Sequence, residues 1–112
     1  MEHKMRLYNG PFEKMINGTK KVELRLYDEK RKLINVGDII EFENRLTQEK
    51  INVKVVGVHI FNNFEELYQN YDKISIGYDE DEYADPCDME EFYSKEEQAQ
   101  YGVVGIEINL IK

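Results

Sequence analysis

A chain of 112 residues has room for one ordinary domain and no second core, which excludes a two-domain enzyme. Hydrophobic residues at 41%, with eight Tyr and five Phe, support a folded core, while a net charge of −8 argues against a nonspecific nucleic-acid coat protein. One cysteine forms no internal disulfide and no apolar run follows Met1, so a membrane is not an expected partner and the expected compartment is the cytoplasm.

The first predicted element is a short helix over about residues 11–17. Pro11 suits its first position, Phe12, Met15 and Ile16 share a face, and Gly18 supplies a left-handed stop. Val22, Leu24 and Leu26 then alternate with Lys21, Glu23 and Arg25, the period of a half-buried strand with one apolar and one wholly charged face. Asn35-Val36-Gly37-Asp38 reads as a turn into a strand over residues 39–43, which pairs with a second strand from Ile51 that runs on to Phe61. Gly57 in that strand permits the bulge that curling a sheet requires. Asn63 caps a helix over about 64–70, and Asp85 and Ser94 cap one or two short helices before the stop at Gly102. Val104, Ile106, Ile108 and Leu110 close the chain as a strand of the kind found in the middle of a sheet. Together these predict a single α+β domain over residues 1–112, with a small, mostly antiparallel, curled sheet and short helices on one side.

Charge is unevenly placed. Residues 1–32 carry nine basic and five acidic side chains, whereas residues 65–112 carry three and fourteen, so an anionic ligand would choose the N-terminal third. The stretch Gly18-Thr19-Lys20-Lys21-Val22-Glu23-Leu24-Arg25 draws three charges together beside one turn, with Glu23 and Arg25 about 6.6 Å apart along the strand. Lys20 and Arg25 suit a phosphate or carbonyl oxygen, and Glu23 suits an amino or hydroxyl donor. The same pattern is also that of a solvated strand face whose charges pair with one another. Cations on both sides favour an ionised Glu23, a poor general acid at neutral pH. Tyr8, Tyr27, Phe61 and Tyr78 are aromatic candidates for stacking a base, and Arg45 for reaching a phosphate. Phe61 and Phe64 read first as core residues.

The order Gly18-x-Lys20-x-x-Glu23-x-Arg25 after a short helix, then Val36-Gly37-Asp38-Ile39-Ile40, then Tyr101-Gly102-Val103-Val104-Gly105-Ile106-Glu107, resembles the ASCH domains (activating signal cointegrator homology) over almost the whole chain. The resemblance implies a PUA-like β-barrel and a cleft beside it, with Gly18, Lys20, Glu23, Arg25, Tyr27 and Arg45 as ligand-binding candidates. The partner it implies is single-stranded RNA, or a nucleotide or modified nucleoside. The family also contains small members that look like amidohydrolases for N4-acetylcytidine, with a Lys matching Lys20 and a Thr matching Glu23. Here that Thr is absent, so the hydroxyl nucleophile does not carry over. The enzymatic alternative is then Glu23 as general base on water, with Lys20 or Arg25 stabilising the oxyanion. A third reading is a protein-interaction module built on the acidic C-terminal half.

No cofactor and no metal are expected. Asp79, Asp81, Asp85 and Glu90 fall at EF-hand spacing, but Tyr83 stands at a ligand position and Ala84 where the loop needs glycine. Gly18-Thr19-Lys20 lacks the first glycine of a phosphate loop. His59 reads as a strand residue near the barrel surface, and Cys87 as a small packing residue.

Overall fold

The computed structural model describes residues 1–111. Five strands form one mixed sheet, β1 (Glu2–Leu7), β2 (Val22–Leu26), β3 (Ile39–Asn44), β4 (Lys50–Phe61) and β5 (Val103–Leu110), in the order β1-β3-β4-β5-β2. Among the described residues only β1 and β3 run parallel; every other pair is antiparallel. The sheet curls into a half-barrel with three α-helices packed on it, α1 (Asn9–Ile16), α2 (Phe64–Asn70) and α3 (Lys95–Tyr101), the α+β, PUA-like architecture expected. A 3₁₀ segment, Pro86–Glu91, lies between α2 and α3.

Local signals account for most boundaries. Asn63 accepts from the Glu66 amide at 2.9 Å, and Ser94 and Glu97 form a reciprocal capping box. Gly18 and Gly102 take positive φ, 81° and 74°, where the chain leaves α1 and α3. The β4–β5 register slips between Val55 and Gly57, and a side chain at Gly57 would sit 2.8 Å from the Glu107 carboxylate, so glycine both bends the strand and seats that carboxylate. Two differences are informative. Residues 2–7 form a strand that sequence reading passed over, with His3, Met5 and Leu7 buried and Glu2, Lys4 and Arg6 exposed. And α1 begins at Asn9, two residues before Pro11, its start held by the Asn9 bridge to Asn44 at 2.9 Å.

The larger correction concerns β2. It is no half-buried strand: Val22, Glu23, Leu24 and Leu26 are all buried. Opposed residues of an antiparallel pair share a face, and Glu23 opposes Ile106 while Arg25 opposes Val104. The charged face therefore looks into the barrel, toward the core of Met5, Leu7, Phe42, Val55, Val104 and Ile106 into which α1 inserts Phe12 and Met15. The apolar face, Val22, Leu24 and Leu26, is covered by Phe64 and Leu67 of α2 and by Ile76. Both faces are covered, so alternation along β2 separates two interiors rather than inside from outside. Cys87, expected to pack, is exposed, and its thiol is held up by Glu90 and then Asp85.

Candidate functional site

The half-barrel leaves its two edge strands, β1 and β2, without a ladder between them, and unpaired backbone groups line such a seam. Arg25 spans it: Nη2 donates to the Arg6 carbonyl of β1 at 2.9 Å. The same guanidinium holds Glu23 Oε2 through Nη2 at 2.7 Å and Nε at 2.9 Å, while Lys20 Nζ holds Oε1 at 3.0 Å. Lys20 and Glu23 are 8% and 3% exposed, a level at which ionic groups persist only when paired. Burial alone would push the Glu23 carboxyl up; Lys20 and Arg25 outweigh it and hold it below the ordinary carboxylate value. Burial likewise opposes the Arg25 charge, and Glu23, then the Tyr93 phenol, reverse that and raise it. Glu23 is therefore an ionised acceptor at neutral pH.

Above this floor opens a cleft of about 430 Å³, within the size range of small-molecule sites. One wall comes from the N-terminal third, with Arg6, Tyr8 and Pro11, joined by Arg45 from the β3–β4 connection. The opposite wall comes from residues 68–93, with Tyr68, Gly77, Tyr78, Asp88, Met89, Glu91, Phe92 and Tyr93. Tyr8 and Phe92, both exposed, face each other across the mouth with ring centres 6.1 Å apart, and the Arg45 guanidinium lies 5.1 Å from the Tyr8 ring centre. Tyr78 donates to Asp88 at 2.8 Å and lies 2.9 Å from the Tyr68 hydroxyl. Burial first, then Tyr68 and Asp88, push the Tyr78 phenol far above its ordinary value, so it stays a neutral donor. Lys14 ties this wall down, reaching the Gly77 carbonyl at 2.8 Å and Asp79 at 3.0 Å, and Lys73 holds the Glu80 and Glu82 carbonyls.

Four of the six proposed ligand-binding residues meet here in part: Lys20, Glu23, Arg25 and Arg45 line the cleft, while Gly18 and Tyr27 do not. Gly18 ends α1, and the Thr19 and Lys20 amides that follow it are already bonded to the Lys14 carbonyl, leaving no backbone donors for an anion. Tyr27 packs beside the barrel core with Lys32 5.8 Å from its ring centre. Of the other aromatics, Tyr8 and Tyr78 line the cleft and Phe61 packs edge-on against Tyr71 in the second core. Sequence reading did not single out Arg6, Asp88, Phe92 or Tyr93. The adjacent pair Phe92-Tyr93, just before the Ser94 cap, was the available signal. Among the described residues no group of His, Cys, Asp or Glu is placed to hold a metal ion, and no helix is long and apolar enough to cross a membrane. His59, exposed on β4, pairs with Glu107 at 2.9 Å, outside the cleft.

A family model described as the ASCH domain matches residues 5–112. Two solved structures resemble the fold across their whole length. The hypothetical protein PH0355 is 34% identical with a TM-score of 0.85, covering 99% of this chain and 100% of its own. Protein PF0455 from Pyrococcus furiosus is 32% identical with a TM-score of 0.72, covering 100% of this chain and 99% of its own. No curated protein matches the sequence.

Proposed function

The chain belongs to the ASCH domain family, and from that premise we propose that the seam cleft binds one base of a single-stranded RNA, or a free nucleotide or modified nucleoside. The observation that carries this reading is the Lys20–Glu23–Arg25 cluster, with Lys20 and Glu23 buried and Arg25 partly so, at the floor of an aromatic-lined cleft. A buried ion network contributes little net stability compared with apolar packing, so its presence at the foot of an open cavity favours recognition over structure. Lys20 has donors left after bonding Glu23, and Glu23 keeps lone pairs beyond those its cations use, so the floor offers both donor and acceptor to a base edge. Tyr8 and Phe92 at the mouth supply flat surfaces for stacking.

Hydrolysis fits the floor less well. Glu23 stands where the amidohydrolase members carry their Thr, and both its oxygens are held by cations at 3.0 Å or less, which lowers its basicity toward water. The test is an NMR titration of labelled protein with cytidine monophosphate, N4-acetylcytidine and a short single-stranded RNA. Shifts of the Lys20, Glu23 and Arg25 amides, lost in Lys20→Ala, are expected, with no free acetate. Acetate release that Lys20→Ala abolishes would make the protein a hydrolase, and unshifted amides with all three ligands would end the binding reading.

A further inference from the structure

A second groove, of about 440 Å³, runs from the cleft over the solvent face of β1 and β3. The two share Arg6, Arg25 and Arg45, so one is continuous with the other. Seven of the ten residues lining this groove are Lys or Arg and two are Glu, in a chain whose net charge is −8. The two acids, Glu41 and Glu43 on β3, lie between basic neighbours: Glu43 pairs with Arg6 at 3.5 Å and Glu41 with Lys50 at 4.0 Å. Among the described residues Lys4, Lys30 and Arg45 form no ion pair, and all three are exposed. A surplus of positive charge is thus concentrated along one track that leaves the mouth of the cleft, while the opposite wall is acidic.

We propose that this groove carries the phosphate backbone of a single-stranded RNA whose base occupies the cleft, so that the ligand is a strand rather than a free nucleoside. The inference rests on the cleft reading above and adds to it the path of the chain. Phosphates attract a row of Lys and Arg and displace counterions, whereas a neutral nucleoside makes no use of such a row. The aromatic rings at the junction, Tyr8 and Phe92, favour a nucleic acid over an acidic peptide, which has no base to stack. Acidic residues on the far wall, Asp88 and Glu91, leave the backbone one low-energy exit.

The experiment compares the full chain with a Lys4→Ala/Lys30→Ala double variant, both positions lying in the groove and outside the cleft. Each is titrated with cytidine monophosphate and with a labelled RNA of about eight nucleotides, within the ~4–16 typical of a small barrel, at several salt concentrations. The variant is expected to melt at the wild-type temperature and to bind the mononucleotide unchanged. It should bind the RNA roughly tenfold or more weakly at low salt, with a log–log salt slope shallower by about 1.4, or 0.7 per lost phosphate contact. Unchanged RNA affinity and slope, with the mononucleotide still bound, would overturn the groove and leave the cleft reading standing. Failure of both ligands to bind the wild type would remove both. An acidic peptide that displaces the RNA at equal concentration would also overturn the proposal, assigning the groove to a protein partner.

Discussion

The floor of the cleft and the acidic stretch that follows Tyr78 of its far wall both gather charge and use it in opposite ways. On the floor, Lys20 and Glu23 are buried and Arg25 is largely so, the two cations bound to Glu23 at 2.7–3.0 Å, with Glu23 and Arg25 on a strand covered on both faces. Just past Tyr78 of the far wall, outside the cleft lining, Asp79, Glu80, Asp81 and Glu82 are exposed; Lys73 takes the Glu80 and Glu82 carbonyls, Lys14 pairs with the Asp79 carboxylate and the Asp79 amide donates to that of Glu82. Charge that cannot reach water must be complete to be tolerated, whereas charge in water is replaceable one residue at a time.

The most severe way to break this contrast is Glu23→Gln, which leaves Lys20 and Arg25 buried without their anion. By the behaviour of broken buried pairs it should cost about 3–5 kcal/mol and lower the melting temperature by more than about 10 °C. Asp81→Asn in the acidic stretch, exposed and without a bonded partner among the described residues, should stay within about 0.5 kcal/mol when both variants are unfolded in urea. Equal losses at the two positions would sink the distinction.

A binding counterpart follows. Tyr8→Ala or Phe92→Ala, at half-exposed rings, should weaken nucleotide binding by about 1–3 kcal/mol, the worth of one base stack, with little change in melting. A ring whose loss unfolds the protein without touching affinity would place it with the core instead.

Acid sharpens the comparison further. Glu23 is held below its ordinary value, and Asp38 is lowered to about 2 by His3, then the Asn35 amide, then the N-terminal amine. The unfolded chain protonates both groups first. Their stabilisation is therefore present above the ordinary carboxylate range and disappears as pH falls through the folded-state values. Asp38→Asn should flatten the part of the stability curve between about pH 4 and pH 2, the unfolded and folded values for that group. A curve unchanged by the substitution would assign acid unfolding elsewhere. A more modest loss is expected from Ser94→Ala, which removes the capping box of α3 and should cost about 1 kcal/mol in a urea titration.

Where sequence and structure part company, the reason is geometric. Asn63 and Ser94 were legible because a cap is satisfied within four residues, and Gly57 because a glycine inside a long strand is where a curling sheet can bend. β1 escaped notice although its period of two is clean, because its inward residues are His3, Met5 and Leu7 and its pairing partner lies more than thirty positions away. Tyr27 was named for the site on proximity to Arg25, but two residues along a strand and past its end carry a ring out of the cleft. Phe92 and Tyr93 enter it from a segment some seventy residues beyond the motif. The paired aromatics mark the segment, but nothing local says which part of the fold it meets.

Every α-helix and every strand but β1, the motif Lys20-x-x-Glu23-x-Arg25, the charge polarity between the chain's two ends, and a family resemblance that the family model supports were legible in the residues. These depend on periodicity, capping and spacing, which act over a few residues. Long-range packing alone sets the inward turn of the charged face of β2, the Arg25 bridge across the seam to β1, and the meeting of an acidic, aromatic wall with a basic one. Alternation records that two faces differ. Which of them meets water is set by the curl of the sheet and by what packs on its back, here Phe64, Leu67 and Ile76, and those contacts are distant in the chain.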